Sequence, residues 1–222
     1  MSEIYEISNR YVDQLAALHP ILATSLGVAG HETELGDFSP SGAESAADLN
    51  RNTLKEINSA IILNDNDRRA REVMVEDIAA ELDAYERGEH FRKLNILASP
   101  LQSIRMVFDH MPKESEENWA NIVSRLTKVP DALYGYQNTL TEGVRRNLVS
   151  TTRQTKECIT QSTVHSGKSN QPSFFAGLVK TLKAVGGGRE TLVLLAYTKR
   201  YANREAVFFR RLARAGFRVD KV

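Results

Sequence analysis

The spacing of apolar residues is the feature that most limits what this chain can fold into. Apolar side chains recur three and four positions apart along most of the sequence, and alternation at every second position is hardly seen. A period near 3.6 is typical of helices that bury one face, whereas alternation is typical of strands. The pattern therefore predicts an all-α protein, an irregular array of about seven or eight antiparallel helices that pack ridges into grooves.

Helix start and stop residues divide this pattern near the beginning of the chain. The first predicted helix spans residues 4–18 and ends before Pro20, because a proline disfavours helical geometry in the residue ahead of it. Residues 21–26 form one short further turn, and Gly27 or Gly30 is suited to the left-handed conformation that ends it. The sequence thus predicts a long helix, a short helix and a polar loop in that order.

Two long helices are predicted next. Ser39 followed by Pro40 is a helix-start signal, and the apolar spacing continues to about Leu63. After the polar cluster 64–67, Asp65 or Asp67 is predicted to cap another helix that continues until Gly88. Because the connection is short, the two helices are expected to form an antiparallel hairpin.

Three more start signals follow. They are Ser99 with Pro100, Ser115 with two glutamates, and Pro130 ahead of a helix over residues 131–148. The apolar side predicted for this last helix consists of Leu133, Tyr136 or Gln137, Leu140, Val144 and Leu148.

The sequence divides into three predicted parts: a helical domain over residues 1–161, a polar loop or linker over 162–173, and a helical C-terminal segment with a basic tail over 174–222. Residues 180–222 carry eleven Lys or Arg and three acidic residues, a net charge of +8. Since the whole chain carries +1, residues 1–179 carry −7. The two parts of the chain therefore differ in the sign of their net charge, and so in kind.

Composition excludes several classes of protein. Apolar residues make up 41% and charged residues 26%, which is near the average for globular proteins and argues against a disordered chain. No apolar run approaches the roughly 20 residues of a membrane span, and the first residues lack the features of a signal peptide. The single cysteine, Cys158, agrees with a reducing compartment. A cytoplasmic location is predicted.

Several segments resemble a bacterial family known as domain of unknown function 885. The resemblance covers roughly residues 5–179 and corresponds to the N-terminal part of that family. The segments that carry it are residues 18–27 (LHPILATSLG), 30–40 (GHETELGDFSP), 81–85 (ELDAY), 95–101 (NILASPL) and the helix of residues 119–130. The resemblance implies an all-helical protein similar to zinc peptidases, with an HExxH helix in the C-terminal half of full-length members.

This sequence contains no HExxH motif. Such a motif needs two histidines one turn apart to bind zinc and a glutamate to activate its water. The nearest string, residues 31–35, has Leu35 in place of the second histidine. The chain is therefore predicted to be a non-catalytic helical portion, or a truncated relative, of a zinc-peptidase-like protein. The basic end beyond Leu178 does not resemble the family, which suggests a truncated or frame-shifted product.

No residue is predicted to be catalytic, to bind a cofactor or to bind a metal. His31, Glu32, Glu34 and Asp37 are close in sequence and have the donor atoms that divalent cations prefer. Such residues in a polar loop between helices more often serve as helix caps, and that interpretation is favoured here. The carboxylates of helix residues 76–83 are interpreted as a solvated, mixed-charge face.

Three other motifs are also given structural interpretations. Gly167, Lys168 and Ser169 resemble the end of a phosphate-binding loop, but Ser162 stands where its first glycine belongs and no buried strand precedes it. Cys158 is expected to be a buried structural cysteine rather than a nucleophile. The glycines at 186–188 lack the same strand and spacing.

Two alternative functions remain. Trp119, Tyr134 and Tyr136 are expected to fill helix interfaces but could line a groove that binds a protein partner. The tail residues 199–214 interleave basic and aromatic residues on a predicted amphipathic helix, which could bind nucleic acid or an anionic surface. Docking of this helix on the body, or disorder of the tail, is favoured over nucleic-acid binding. Self-association is expected if the helical domain leaves apolar surface uncovered.

Overall fold

The computed structural model describes residues 2–165, and this range contains eight α-helices, one 3₁₀ helix and no strand. The predicted all-α class is confirmed. In chain order the elements are α1 (Glu3–Leu18), α2 (Pro20–Leu26), α3 (Pro40–Ser59), α4 (Asp65–Glu86), the 3₁₀ helix (Glu89–Arg92), α5 (Pro100–His110), α6 (Glu116–Thr127), α7 (Val129–Arg145) and α8 (Thr152–His165).

Helices α1, α3 and α4 pack against one another as the first layer of the fold. The predicted hairpin is antiparallel, since Tyr85 near the end of α4 donates a hydrogen bond to Glu44 near the start of α3. Full burial of an isoleucine side chain contributes about 1.5–3 kcal/mol. The core of this layer contains Ile4, Ile7, Ile57 and Ala60, with Ala70, Met74 and Val75 packed against it.

Helix α7 is in contact with most of the remaining helices of residues 2–152. Helix α5 contacts α2 and α7, and α6 and the 3₁₀ helix each contact α7. Helix α6 begins with a complete capping box, in which Ser115 and Asn118 exchange side-chain to backbone hydrogen bonds. Buried apolar residues of α5 and α6 are Ile104, Val107, Phe108, Ile122 and Leu126.

The predicted ends of α3 and α4 need two corrections. Helix α4 is capped by Asn64, whose Oδ1 accepts from the Asp67 backbone N–H at 3.0 Å, and not by Asp65 or Asp67. The Asp67 carboxylate is buried and accepts instead from the Ser2 hydroxyl and the Leu63 N–H. Helix α3 ends at Ser59, before Leu63, because the Ile61 N–H donates to Glu3 and the Leu63 N–H to Asp67, and these bonds hold a non-helical connection.

The buried face of α7 differs from the prediction. It consists mainly of small and hydroxyl-bearing residues, namely Ala132, Gly135, Tyr136, Thr139 and Gly143. Val144 is 68% exposed, and the helix begins at Val129 and ends at Arg145 rather than spanning residues 131–148. Of the residues predicted for the apolar side, Tyr136 is buried and Leu133, Leu140 and Leu148 are half-buried, so the rest of that prediction is wrong. The reason is that irregular backbone segments pack against α7, as described below.

Helix α8 is described by itself, since the chain divides into two structural units at Thr152. It continues to His165, so the first four residues of the stretch predicted to be a loop, 162–165, are helical. The rest of that predicted loop and residues 174–222, predicted to be helical with a basic tail, lie outside the described residues. None of the described helices is long and apolar enough to cross a bilayer.

Candidate functional site

The polar segment singled out in the sequence lies between α2 and α3, and we refer to residues 27–39 as the clamped loop. It begins at Gly27, whose φ of 74° is the left-handed conformation predicted for a glycine at this position. It ends at Ser39, the predicted cap of α3, whose Oγ accepts from the Gly42 N–H at 3.4 Å. Both ends of the loop therefore agree with the sequence prediction.

A buried arginine on α6 holds this loop. The Arg125 side chain is completely buried; its Nη1 donates to Thr24 Oγ1 at 2.9 Å and its Nη2 to the His31 carbonyl oxygen at 2.5 Å. Burial lowers the Arg125 pKa to about 10, and nearby Glu32 and Glu34 oppose the shift. The guanidinium thus joins α2, the loop and α6, and the sequence analysis missed it because its partners lie about 100 residues away.

The two glutamates of the loop have their own partners. The Glu32 carboxylate accepts from the Gly30 N–H at 2.9 and 3.1 Å, and these bonds lower the Glu32 pKa. Glu34 pairs with Lys128, and that hydrogen bond lowers the Glu34 pKa. Both carboxylates are therefore held as anions within the loop, close to the buried guanidinium.

Asp37 organises the start of α3. Its Oδ1 accepts from the Ser39 N–H at 2.8 Å and its Oδ2 from the Ser41 hydroxyl at 3.3 Å. Partial burial disfavours ionisation of Asp37, but the hydrogen bonds from Ser39 and Ser41 outweigh it and lower the pKa. The backbone at Asp37 passes so close to α3 that a Cβ added at Gly42 would lie 2.1 Å from the Asp37 carbonyl oxygen.

Helix α7 holds the other side of the clamped loop. The Thr139 hydroxyl donates to the Phe38 carbonyl oxygen at 2.7 Å, and a Cβ at Gly135 would lie 3.1 Å from the Ser39 backbone nitrogen. Leu35 is only 2% exposed and anchors the loop by apolar burial. These contacts explain why α7 has small residues on this face.

A cleft of about 450 Å³ opens beside the clamped loop. Its charged lining combines Glu34, Asp37 and Asp131 with one cation, Lys128. The cleft is thus mixed in charge, and its apolar part comes from residues of α1, α2, the loop and α7, namely Ala17, Pro20, Leu35, Phe38 and Ala132.

The four residues weighed as metal ligands do not come together as a ligand set. Within residues 2–165, no three His, Cys, Asp or Glu side chains are grouped to hold an ion. His31 contributes its backbone carbonyl to Arg125, while Glu32, Glu34 and Asp37 have the partners given above. The N-cap of α3 is Ser39 and not one of these four residues; Asp37 supports the cap by accepting from the Ser39 N–H and the Ser41 hydroxyl.

Other sequence candidates fall in different places. The side chains of Glu76, Asp77, Glu81 and Asp83 are all exposed, as a solvated face predicts. Cys158 is free and buried, and burial raises the pKa of its thiol, as expected for a structural cysteine. Gly167 to Ser169 and the glycines at 186–188 lie outside the described residues.

The aromatic candidates divide between interior and surface. Tyr136 is buried, and its hydroxyl donates to the Lys93 carbonyl oxygen at 2.8 Å. Tyr134 is 67% exposed, so the prediction that it fills a helix interface is wrong; it lies on the outer face of α7. Trp119 is half-buried and its indole N–H donates to the Lys113 carbonyl oxygen at 3.1 Å.

A second irregular segment, residues 88–94, was missed by the sequence analysis, and we refer to it as the turn junction. It begins at Gly88, with a φ of 70°, and contains the 3₁₀ helix. His90 stacks on Tyr85 with ring centroids 4.9 Å apart and an interplanar angle of 7°. No periodic pattern marks such a segment, and an isolated histidine gives no motif.

The sequence profile described as bacterial protein of unknown function (DUF885) matches residues 20–213. The chain belongs to this family. The match includes the clamped loop, the turn junction and most of the basic C-terminal segment. The expectation that family resemblance ends near residue 179 is therefore wrong, and a frame shift at that point is not supported. No curated protein matches the chain at a significant level of similarity.

Proposed function

We propose that this DUF885 chain acts as a helical scaffold, equivalent to the non-catalytic helical part of a zinc-peptidase-like protein, and performs no reaction by itself. The observation that carries this proposal is the use of the loop carboxylates. Glu32, Glu34 and Asp37 accept hydrogen bonds from the loop backbone, Lys128 or serines. In these roles the carboxylates support the loop, their lowered pKa makes them weak general bases near neutral pH, and within residues 2–165 they are not grouped as a ligand set.

The peptidase-like part of the proposal comes from the sequence resemblance, and the role of the cleft follows from its position. In such a scaffold the cleft beside the clamped loop would form one wall of a larger binding channel. Its mixed charge, with Lys128 beside Asp37 and Asp131, suits a polar chain with charges of both signs.

Zinc content and peptide hydrolysis test this proposal. The purified full chain is incubated with zinc, desalted, and assayed for bound zinc and for cleavage of a mixed peptide library. We expect no stoichiometric zinc and no cleavage above the buffer blank. Stoichiometric zinc together with cleavage that a chelator abolishes would overturn the proposal.

The neighbouring DNA provides a second test. Translation in all frames downstream of the coding sequence is searched for an HExxH helix. A downstream HExxH in any frame supports a truncated relative of a peptidase-like protein. If it is absent, the truncation part of the proposal fails, and the scaffold would act as a stand-alone module.

Exposed apolar side chains favour a second candidate, a module that binds a protein partner or itself. Leu26 on α2 is 65% exposed, and Tyr134 and Val144 on α7 are 67% and 68% exposed. Large apolar groups in water are a common feature of interaction surfaces. Light scattering over a range of concentrations tests self-association; a monomer at every concentration argues against a homo-oligomer.

A further inference from the structure

The turn junction contains a continuous row of rings with a guanidinium group at each end. Arg51 lies over the Tyr85 ring with its Cζ 5.4 Å from the centroid, and Tyr85 stacks on His90. His90 in turn contacts Phe91, with centroids 3.9 Å apart and planes tilted by 43°. Arg146 completes the row, with its Cζ 4.6 Å from the Phe91 centroid. An imidazole therefore lies in the middle of a row that has a fixed positive charge at both ends.

The hydrogen bonding of His90 favours the neutral ring. Its Nδ1 is buried and has no hydrogen-bond partner within residues 2–165. A neutral imidazole can leave Nδ1 as a bare lone pair and carry its proton on Nε2. Protonation would create a charged N–H donor at a buried position without an acceptor, which costs more than leaving a lone pair unused.

We propose that His90 is a pH-sensitive latch that keeps the turn junction closed while the ring is neutral and opens it when the ring is protonated.

The charges that face His90 from the surrounding elements act in both directions. Helix α3 contributes Glu44, Asp48 and Arg51, of which Arg51 pairs with both carboxylates. Helix α7 contributes Glu142, which pairs with Arg146, the residue directly after the helix. From α4 come the Tyr85 hydroxyl and the Arg87–Asp83 pair, and the turn itself contributes the Glu89–Arg92 pair.

The net effect on the ring follows from these neighbours. Burial lowers the His90 pKa most, Arg146 lowers it further, and Glu44 opposes them. The closed junction therefore binds a proton less readily than an open one. Its stability is fully present above pH ~6.5 and is lost as the pH falls through the lowered pKa of the closed form.

Opening of the turn junction would break the contacts that hold this segment, which follows α4, against α7. Phe91, 6% exposed, packs so close to α7 that a Cβ at Gly143 would lie 2.5 Å from its carbonyl oxygen. Tyr136 binds the Lys93 carbonyl and Ser150 Oγ donates to the Leu94 carbonyl at 2.6 Å. These contacts hold one short segment, so they are expected to open together.

Hydrogen exchange on the full chain tests the latch. Exchange of peptides that cover residues 88–94 is compared at pH 5.0 and 7.5 after correction for intrinsic rates. We expect the opening equilibrium to increase at the lower pH, by up to about tenfold per pH unit between the two pKa values of His90. His90→Gln, which cannot titrate, should abolish this dependence. His110→Gln, at the exposed end of α5, should leave it unchanged.

Nitrogen-15 NMR of the histidine rings in the wild-type chain provides a readout that needs no variant. We expect His90 to be the Nε2–H tautomer at pH 7.5 and to titrate below 6.5. A His90 that titrates at 6.5 or above, an Nδ1–H tautomer, or equal pH dependence of exchange in His90→Gln would each overturn the latch.

Discussion

The clamped loop and the turn junction are held in place by different kinds of interaction. Both are irregular segments held against α7, one through Gly135 and Thr139 and the other through Tyr136 and Gly143. The clamped loop depends on Arg125, a group that stays charged at every pH relevant to a folded protein. The turn junction depends on stacked rings around a titratable histidine. Segments with similar packing can therefore lose stability in different ranges of pH, the turn junction below about 6.5 and the carboxylates of the clamped loop only in stronger acid.

The largest expected loss of stability comes from a substitution that removes the contacts of the clamped loop. Arg125→Ala removes two charge-assisted hydrogen bonds and leaves the Thr24 hydroxyl and the His31 carbonyl near a new cavity. We expect a loss of about 3 kcal/mol in the free energy of unfolding, measured by urea denaturation. Arg125→Lys should recover only part of it, because a lysine cannot hold both acceptors in the arginine geometry.

Arg69→Ala is the matched control, because the Arg69 side chain is 70% exposed and pairs only on the surface with Asp65. Its expected effect is below about 0.5 kcal/mol. Equal losses for the two alanine variants would show that the buried guanidinium does not hold the loop.

The second largest effect on stability is expected where the end of the clamped loop lies against the first turn of α3. Alanine normally stabilises a helix relative to glycine by about 1 kcal/mol. At Gly42 the added Cβ would meet the Asp37 backbone, so we expect Gly42→Ala to lower the free energy of unfolding by about 2 kcal/mol instead. Ser45→Ala, at an exposed position one turn later, should change it by less than about 0.5 kcal/mol. A stabilised Gly42→Ala protein would contradict the close approach.

A smaller effect is expected in the turn junction. Tyr136→Phe removes the hydrogen bond to the Lys93 carbonyl oxygen without creating a cavity. The expected loss is about 1 kcal/mol, measured by denaturation, together with faster exchange of residues 88–94. Tyr134→Phe, on the exposed face of the same helix, is the control and should leave both quantities unchanged. Matching behaviour of the two variants would argue against the anchor.

The smallest effect concerns the surface of the clamped loop. Glu34→Gln removes the ion pair with Lys128, whose groups are both partly exposed, so we expect a change below about 0.5 kcal/mol at pH 7. Because the Glu34 pKa is lowered in the folded state, its contribution is present above the unfolded pKa and disappears as the pH falls through the folded one. Wild type and variant should therefore converge in stability once the pH falls below the lowered pKa of Glu34. Divergence under acid would contradict this assignment.

Local signals predicted much of the fold. Pro20, Gly27, Ser39, Gly88 and Ser115 mark element ends that the structure confirms, since caps and left-handed glycines act within one turn of the backbone. The cap of α4 was misassigned because asparagine and aspartate side chains are equivalent acceptors within one short cluster. Asp67 does not cap the helix, because its carboxylate accepts a hydrogen bond from Ser2, 65 residues earlier.

The candidate site was harder to predict than the helices. Asp37 could be interpreted as part of a helix start because its partners are two and four residues away. Arg125 and Thr139 could not be found this way, because each meets its partner 101 residues earlier in the chain. His90 carried no signal because its role depends on the ring of Tyr85 from α4 and the charge of Arg146 beyond α7.

Apolar spacing and capping residues by themselves determined that this chain is helical and where most of its helices begin and end, because these depend on interactions between residues three or four positions apart. Tertiary structure alone decided which face of α7 is buried. Two irregular backbone segments dock there, and their close approach selects Gly135, Thr139 and Gly143 over the larger apolar residues of the same helix. That choice is made by distances between remote segments, which no local pattern encodes.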